Sequence, residues 1–258
     1  MLLDLVERYD IDGIHYDRIR YPGPGYSHDP VSLRRFEGPG NPNRLGWEDW
    51  QREQLNKLIN DLYAEIAARK PWLRVSCSAW GIYNRFDIPG YATFSSGFHD
   101  YYQDTVAWTR LGAMDTLMPM IYWDIPDPKP NYDELAECFI SHVGGLRFVG
   151  GMAGYKGYLK DDEIFGEIEV TRELGGAGTV LFAYGSIVRE NAWERFIQEV
   201  YPDKAATPPM PWKEKPEGGI LGGWVLDEAG EPIVDAVVEL EGAAHRWTSS
   251  ADGYFAFL

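Results

Sequence analysis

The stretch Asp12-Gly-Ile-His-Tyr-Asp-Arg-Ile-Arg-Tyr-Pro22 decides how this chain is read. A helix-like run, Leu2 to Tyr9, leads into it, and a proline ends it. Between them the side chains alternate as in a short strand. His15, Asp17 and Ile19 then share one face, and Tyr16 and Arg18 the other. A carboxylate in the second half of such a strand is costly to bury unless it is paired or used. Two readings fit Asp17: a catalytic carboxylate at the C-terminal end of a barrel strand, or a structural ion pair with Arg18 or Arg20.

Outward from this strand, the Gly- and Pro-rich run Pro22 to Asn43 reads as a long loop. Trp47 to Lys70 reads as a helix, with Trp50, Leu55, Leu58, Ile59, Leu62 and Ile66 at helical spacing. Strands are expected at 73–80, 116–122, 147–152 and Thr179 to Tyr184. Helices are expected at 99–111, 131–143, 161–174 and Asn191 to Val200. Strands that alternate with helices imply a parallel sheet covered by helices. The Trp, Tyr and Asp residues gather in the loops after the strands, which is where a (β/α) barrel builds its active site. A doubly wound open sheet is the alternative, but no Gly-rich dinucleotide fingerprint follows any strand.

The fold class expected is therefore α/β, a (β/α)8 TIM barrel over residues 1–203. Only five βα units can be counted, so the chain is expected to lack roughly the first three. Residues 204–218, rich in Pro, read as a stiff linker. Residues 219–258 read as short strands and turns, a truncated all-β sandwich.

Composition narrows the function. The chain has 258 residues, enough for a full core, and a formal charge of −16. Nucleic acid is an unsuitable partner for so acidic a protein, because phosphate binding needs clustered Lys and Arg. A neutral or cationic polymer suits it better. Ten Trp and sixteen Tyr supply aromatic faces for sugar rings, although core packing accounts for most of them. No run is long enough to span a membrane and no signal peptide is seen. Cys77 and Cys138 match no metal-ligand spacing and read as buried free thiols. The five histidines are scattered without ligand spacing, and neither a nucleophile elbow nor a phosphate loop is present. No cofactor and no metal is expected, which leaves carboxylate chemistry.

The segment Tyr9 to Pro22 resembles the hallmark of bacterial glycosyl-hydrolase-like family 10. Val75-Ser-Cys-Ser-Ala-Trp80, Tyr102-Gln-Asp104 with Trp108, Asp115-Thr-Leu-Met-Pro-Met-Ile-Tyr-Trp123 and Gly151-Met-Ala-Gly-Tyr155 support it, in the right order over about residues 1–200. The resemblance implies a glycosidase of the bacterial envelope or a secreted one, acting on an amino-sugar polymer such as peptidoglycan strands stripped of their peptides. Residues 219–258 resemble the start of a carboxypeptidase regulatory-like module, through Gly222-Gly-Trp-Val-Leu-Asp227, Gly230-Glu-Pro232 and Thr248 to Phe255.

Glycoside hydrolysis usually takes two carboxyl groups, one protonated and one ionised. Asp17 is the first candidate, as the acid, with His15 able to tune it. Asp124, directly after a strand, and Asp104, beside Trp108, compete for the second role. For Asp104 a structural or capping role stays open. Candidate substrate contacts are His15, Arg20, Tyr21, Trp80, Asn84, Tyr122, Trp123, Tyr155 and Tyr184. A carbohydrate-binding protein without a complete catalytic pair, and an adhesion or scaffold protein, are the competing classes.

Overall fold

In a computed structural model of the chain, residues 1–154, 162–243 and 245–258 are described. Helix α1 (Leu2–Arg8) leads into strand β1 (Gly13–Tyr16). This strand is shorter than the alternation predicts. Arg18 takes a left-handed φ of 53°, and its N–H donates to Asp17 Oδ1 at 2.8 Å, so the chain turns where the strand was expected to continue. The stretch read as one long loop contains helix α2 (Pro30–Glu37). Asp29 starts it, accepting from the N–H groups of Val31 and Ser32 at 2.9 and 3.1 Å, with Pro30 at the first helical position.

Helix α3 (Trp47–Arg69) and strand β2 (Arg74–Trp80) follow. The single helix expected over 99–111 is two, α4 (Gly97–Asp100) and α5 (Thr105–Arg110). Ser96 caps the first and Asp104 the second, with Tyr102 between them at a φ of 51°. Next come β3 (Thr116–Met120), α6 (Tyr132–Val143), β4 (Val149–Met152), α7 (Glu163–Glu173) and β5 (Gly178–Leu181). The strand expected to reach Tyr184 stops at Leu181, and Tyr184 opens α8 (Tyr184–Glu190). Asn191, expected to begin the last helix, instead ends α8 in a left-handed conformation. A short turn, α9 (Trp193–Arg195), and a π-helical turn (Phe196–Val200) complete this part.

The five strands form one all-parallel sheet in the order β1-β2-β3-β4-β5. An order without reversal lacks the switch point of a doubly wound sheet and is consistent with part of a (β/α)8 barrel. Val75, Cys77, Ala79 and Leu117 are fully buried on the helix-facing side, with Ile59, Tyr63, Ile66, Trp108 and Phe139 in the same cluster. Burying each large apolar side chain contributes about 1.5–3 kcal/mol. The alternate row looks the other way: the register pairs His15 with Ser76 and Ser76 with Thr116. Four residues further along, it joins Trp80, Met120, Gly151 and Val180.

The Pro-rich segment folds back against this sheet. It carries a short helix, α10 (Pro211–Glu214). Fully buried Asp115 accepts from Trp212 Nε1 at 2.7 Å, Tyr63 Oη at 3.0 Å and Val75 N at 2.8 Å, and pairs with Lys213 Nζ at 2.9 Å. Arg74 Nη2 donates to Pro208 O at 2.5 Å, and the Arg147 guanidinium lies 3.7 Å from the centre of the Trp212 ring.

Beyond it, β6 (Leu221–Trp224) pairs antiparallel with β9 (Tyr254–Phe257), and β7 (Val237–Val238) with β8 (Trp247–Thr248). Among the described residues these two ladders and a bridge between Leu226 and Pro232 are the strand pairing of this part, less than the expected sandwich. The ladders dock on α3. Ala64 packs with Tyr254 and Ala256, Asn60 Nδ2 donates to Ala256 O at 2.8 Å, and Lys57 bridges Asp61 and Ser250. Arg35 holds Asp235 through Nε at 3.0 Å and Nη2 at 2.8 Å. Helix α3 is thus covered on two sides, while Leu58, assigned to its apolar stripe, is 45% exposed. Among the described residues no helix is long and apolar enough to cross a membrane.

Candidate active site

The end of β1 and its neighbour β2 build the first half of the site. His15 spans two serines of β2, with Nδ1 at 3.0 Å from Ser76 Oγ and Nε2 at 2.9 Å from Ser78 Oγ. One ring nitrogen donates and the other accepts, so the pair of serines suits a neutral imidazole. Partial burial holds the His15 pKa below its ordinary value of 6.5, and the charge of Asp17 opposes that shift. Asp17 itself is exposed at the strand end. Its carboxylate accepts the Arg18 N–H and no other hydrogen bond among the described residues. An available carboxylate beside a neutral imidazole is suited to giving or taking a proton.

Arg20 and Trp80 lie together next to this pair. The Arg20 guanidinium carbon is 5.6 Å from the centre of the Trp80 ring, and Arg20 Nη1 is buried without a hydrogen-bond partner. Tyr101 lies against the Trp80 ring with centroids 4.2 Å apart, and Trp80 Nε1 donates to Ser95 O at 2.9 Å. Tyr21 packs edge-on to Tyr102 at 5.3 Å and donates its N–H to Tyr101 O. Burial raises the pKa of its phenol, so Tyr21 is a neutral donor or acceptor.

Gln103, which received no role from the sequence, organises these groups. It is 1% exposed. Its Nε2 donates to Ile19 O at 3.2 Å and Ser78 O at 3.1 Å, and its Oε1 accepts from Trp80 N at 2.7 Å. One amide thereby ties the loop after β1 to the end of β2. The signal lay in the Tyr102-Gln-Asp104 motif, whose charged member drew attention instead.

Asp104 is occupied elsewhere. Its Oδ1 caps α5 through Ala107 N at 3.1 Å and accepts from Tyr83 Oη at 2.7 Å. Asn84 is likewise engaged, with Nδ2 on Asp87 Oδ1 at 2.9 Å and Oδ1 accepting from Phe86 N at 3.1 Å, beside His99 Nε2 at 3.0 Å. Both residues shape the loop after β2.

The end of β3 supplies a second group. Trp123 lies against Gly81: a Cβ there would sit 2.9 Å from the Trp123 ring and 2.3 Å from Met120 O, so only glycine fits. The Tyr122 ring stacks with Phe182, which follows β5, at 6.2 Å and 21°. Phe182 is 59% exposed and is an aromatic platform the sequence reading passed over. Asp124 meets Glu163 and Glu167 of α7, with carboxylate oxygens all within 4.8 Å of one another. Tyr184 opens α8, three residues past the end of β5, with its ring 5.8 Å from that of Trp193, and Tyr155 lies outside the described residues.

Comparison with known proteins agrees with this frame. The chain is similar to "Glycosyl hydrolase YngK" of Bacillus subtilis (strain 168), 26% identical over 225 residues, which cover 81% of this chain and 44% of that protein. The chain therefore spans less than half the length of that relative. Residues 1–156, more than half of the chain, match the family described as glycosyl hydrolase-like 10. By that match the chain belongs to the glycosyl hydrolase-like 10 family.

Proposed function

We propose that this chain carries the sugar-binding and acid-supplying side of a glycoside hydrolase acting on an amino-sugar polymer of the bacterial envelope, such as peptidoglycan strands freed of their peptides. The observation that carries the reading is the exposed Asp17 carboxylate at the end of β1, beside a His15 ring that bonds two serines and whose pKa partial burial lowers. In this reading Asp17 protonates the leaving oxygen. Arg20, with a buried donor unused, binds a substrate oxygen. Trp80, Tyr122, Trp123 and Phe182 present rings to the apolar faces of sugars. The group around Asp124 is the candidate for the second carboxyl function.

The (β/α)8 architecture with further βα units, an envelope or extracellular location, and kinship of residues 219–258 with carboxypeptidase regulatory-like modules belong to the same proposal. The test is mass spectrometry of products from peptide-free peptidoglycan strands and from partly deacetylated glucosamine polymers. Release of shortened oligosaccharides supports hydrolysis, and the polymer that yields them names the substrate. Binding of a polymer without any product, by folded protein, favours the carbohydrate-binding reading.

A further inference from the structure

A second cluster of reactive side chains lies outside the site described above. Cys138 and His142 stand four residues apart on α6, so both face the same way. Asp87 reaches them from the loop after β2. The Cys138 sulfur, an Asp87 carboxylate oxygen and a His142 ring nitrogen all lie within 4.8 Å of one another, with His142 Nε2 and Asp87 Oδ2 2.9 Å apart. The other Asp87 oxygen is held by Asn84 Nδ2 at 2.9 Å, and Asn84 in turn by His99. Tyr83 packs edge-on to the His142 ring at 5.4 Å. Outer partners of this kind fix the orientation of metal ligands.

We propose that Asp87, Cys138 and His142 form a binding site for one zinc-like divalent cation, with the fourth position left to water. A thiolate, an imidazole and a carboxylate are a borderline-soft set that selects zinc or cobalt over magnesium or calcium. Zinc takes sulfur at about 2.3 Å and nitrogen or oxygen at about 2.0–2.2 Å, so around a tetrahedral ion His142 Nε2 and Asp87 Oδ2 would open from 2.9 Å to about 3.4 Å as the proton between them leaves. Deprotonated Cys138 and Asp87 together balance a divalent charge. A metal-bound Cys138 is a thiolate, so binding releases its proton. Spacing rules based on paired cysteines miss the set, because a single Cys and a single His share a helix turn and the third ligand comes from another loop.

Titration of the whole untagged chain with cobalt(II), in a thiol-free reductant and followed by absorption, tests the site. The expected result is one cobalt per chain, a near-ultraviolet thiolate-to-cobalt band, visible bands of a tetrahedral ion, and displacement by zinc(II) but not magnesium. Cys138→Ser is expected to lose the thiolate band and His142→Ala to lose stoichiometric binding, with circular dichroism confirming that each is folded. If Cys138→Ser does not fold, His142→Ala decides alone, since its side chain is partly exposed. Absence of the band in folded wild type, its persistence in Cys138→Ser, or undiminished binding by His142→Ala would overturn the proposal.

Discussion

His15 sets the chemistry of the strand end, and its titration is the most local consequence of the geometry. Burial depresses its pKa below 6.5 while Asp17 raises it. Asp17→Asn removes the raising charge, so the His15 pKa is expected to fall further, as read by NMR of the imidazole. A rise in the variant would contradict the arrangement. The sign for stability follows: the unfolded chain binds the proton more readily, so the contribution is intact above 6.5 and lost as pH falls toward the folded value. At Asp104, replacement by alanine removes a helix cap and the partner of Tyr83. A loss of about 1–2 kcal/mol in urea unfolding is expected, whereas an unchanged midpoint would deny the structural role. Asp17 was legible because alternation placed a carboxylate at a strand end. The turn at Arg18 was not, since the left-handed residue is itself an arginine, without the preference for that region that glycine or asparagine would signal.

At the scale of elements, alternation of strands and helices was enough to read the parallel sheet, because period-two segments such as Leu73 to Ala79 and the amphipathic α6 are locally unambiguous. Boundaries were harder where a cap residue decides them. Asp29-Pro30 is a helix start hidden in a Gly- and Pro-rich run, and Asp104 restarts a helix that periodicity alone would continue. The back-folded Pro-rich segment was invisible, since its anchor pairs Trp212 and Lys213 with Asp115, about a hundred positions earlier in the chain. Asp115→Ala leaves Lys213, Trp212, Tyr63 and Val75 N without their shared acceptor. We expect a loss of about 3–5 kcal/mol and a shift of Trp emission as Trp212 is released. A loss too small to measure would mean that the segment is not held by Asp115.

At the scale of the whole molecule, residues 219–258 are part of the support of α3 rather than a pendant. Removing them uncovers Ala64 and Asn60 and strips Ser250 from the Lys57–Asp61 pair. The remaining residues are therefore expected to melt at a lower temperature than the full chain. An unchanged melting temperature would instead make the two parts independent. The central claim is that Asp17 supplies the proton in cleavage of an amino-sugar polymer, and a comparison of wild type with Asp17→Asn tests it most directly. Reducing-end release and glycan binding would be measured on the same peptide-free peptidoglycan strands. The account predicts binding by both proteins, with release slowed about 10²–10⁴-fold in the variant, the usual size of an acid–base contribution. Equal release by both would contradict it.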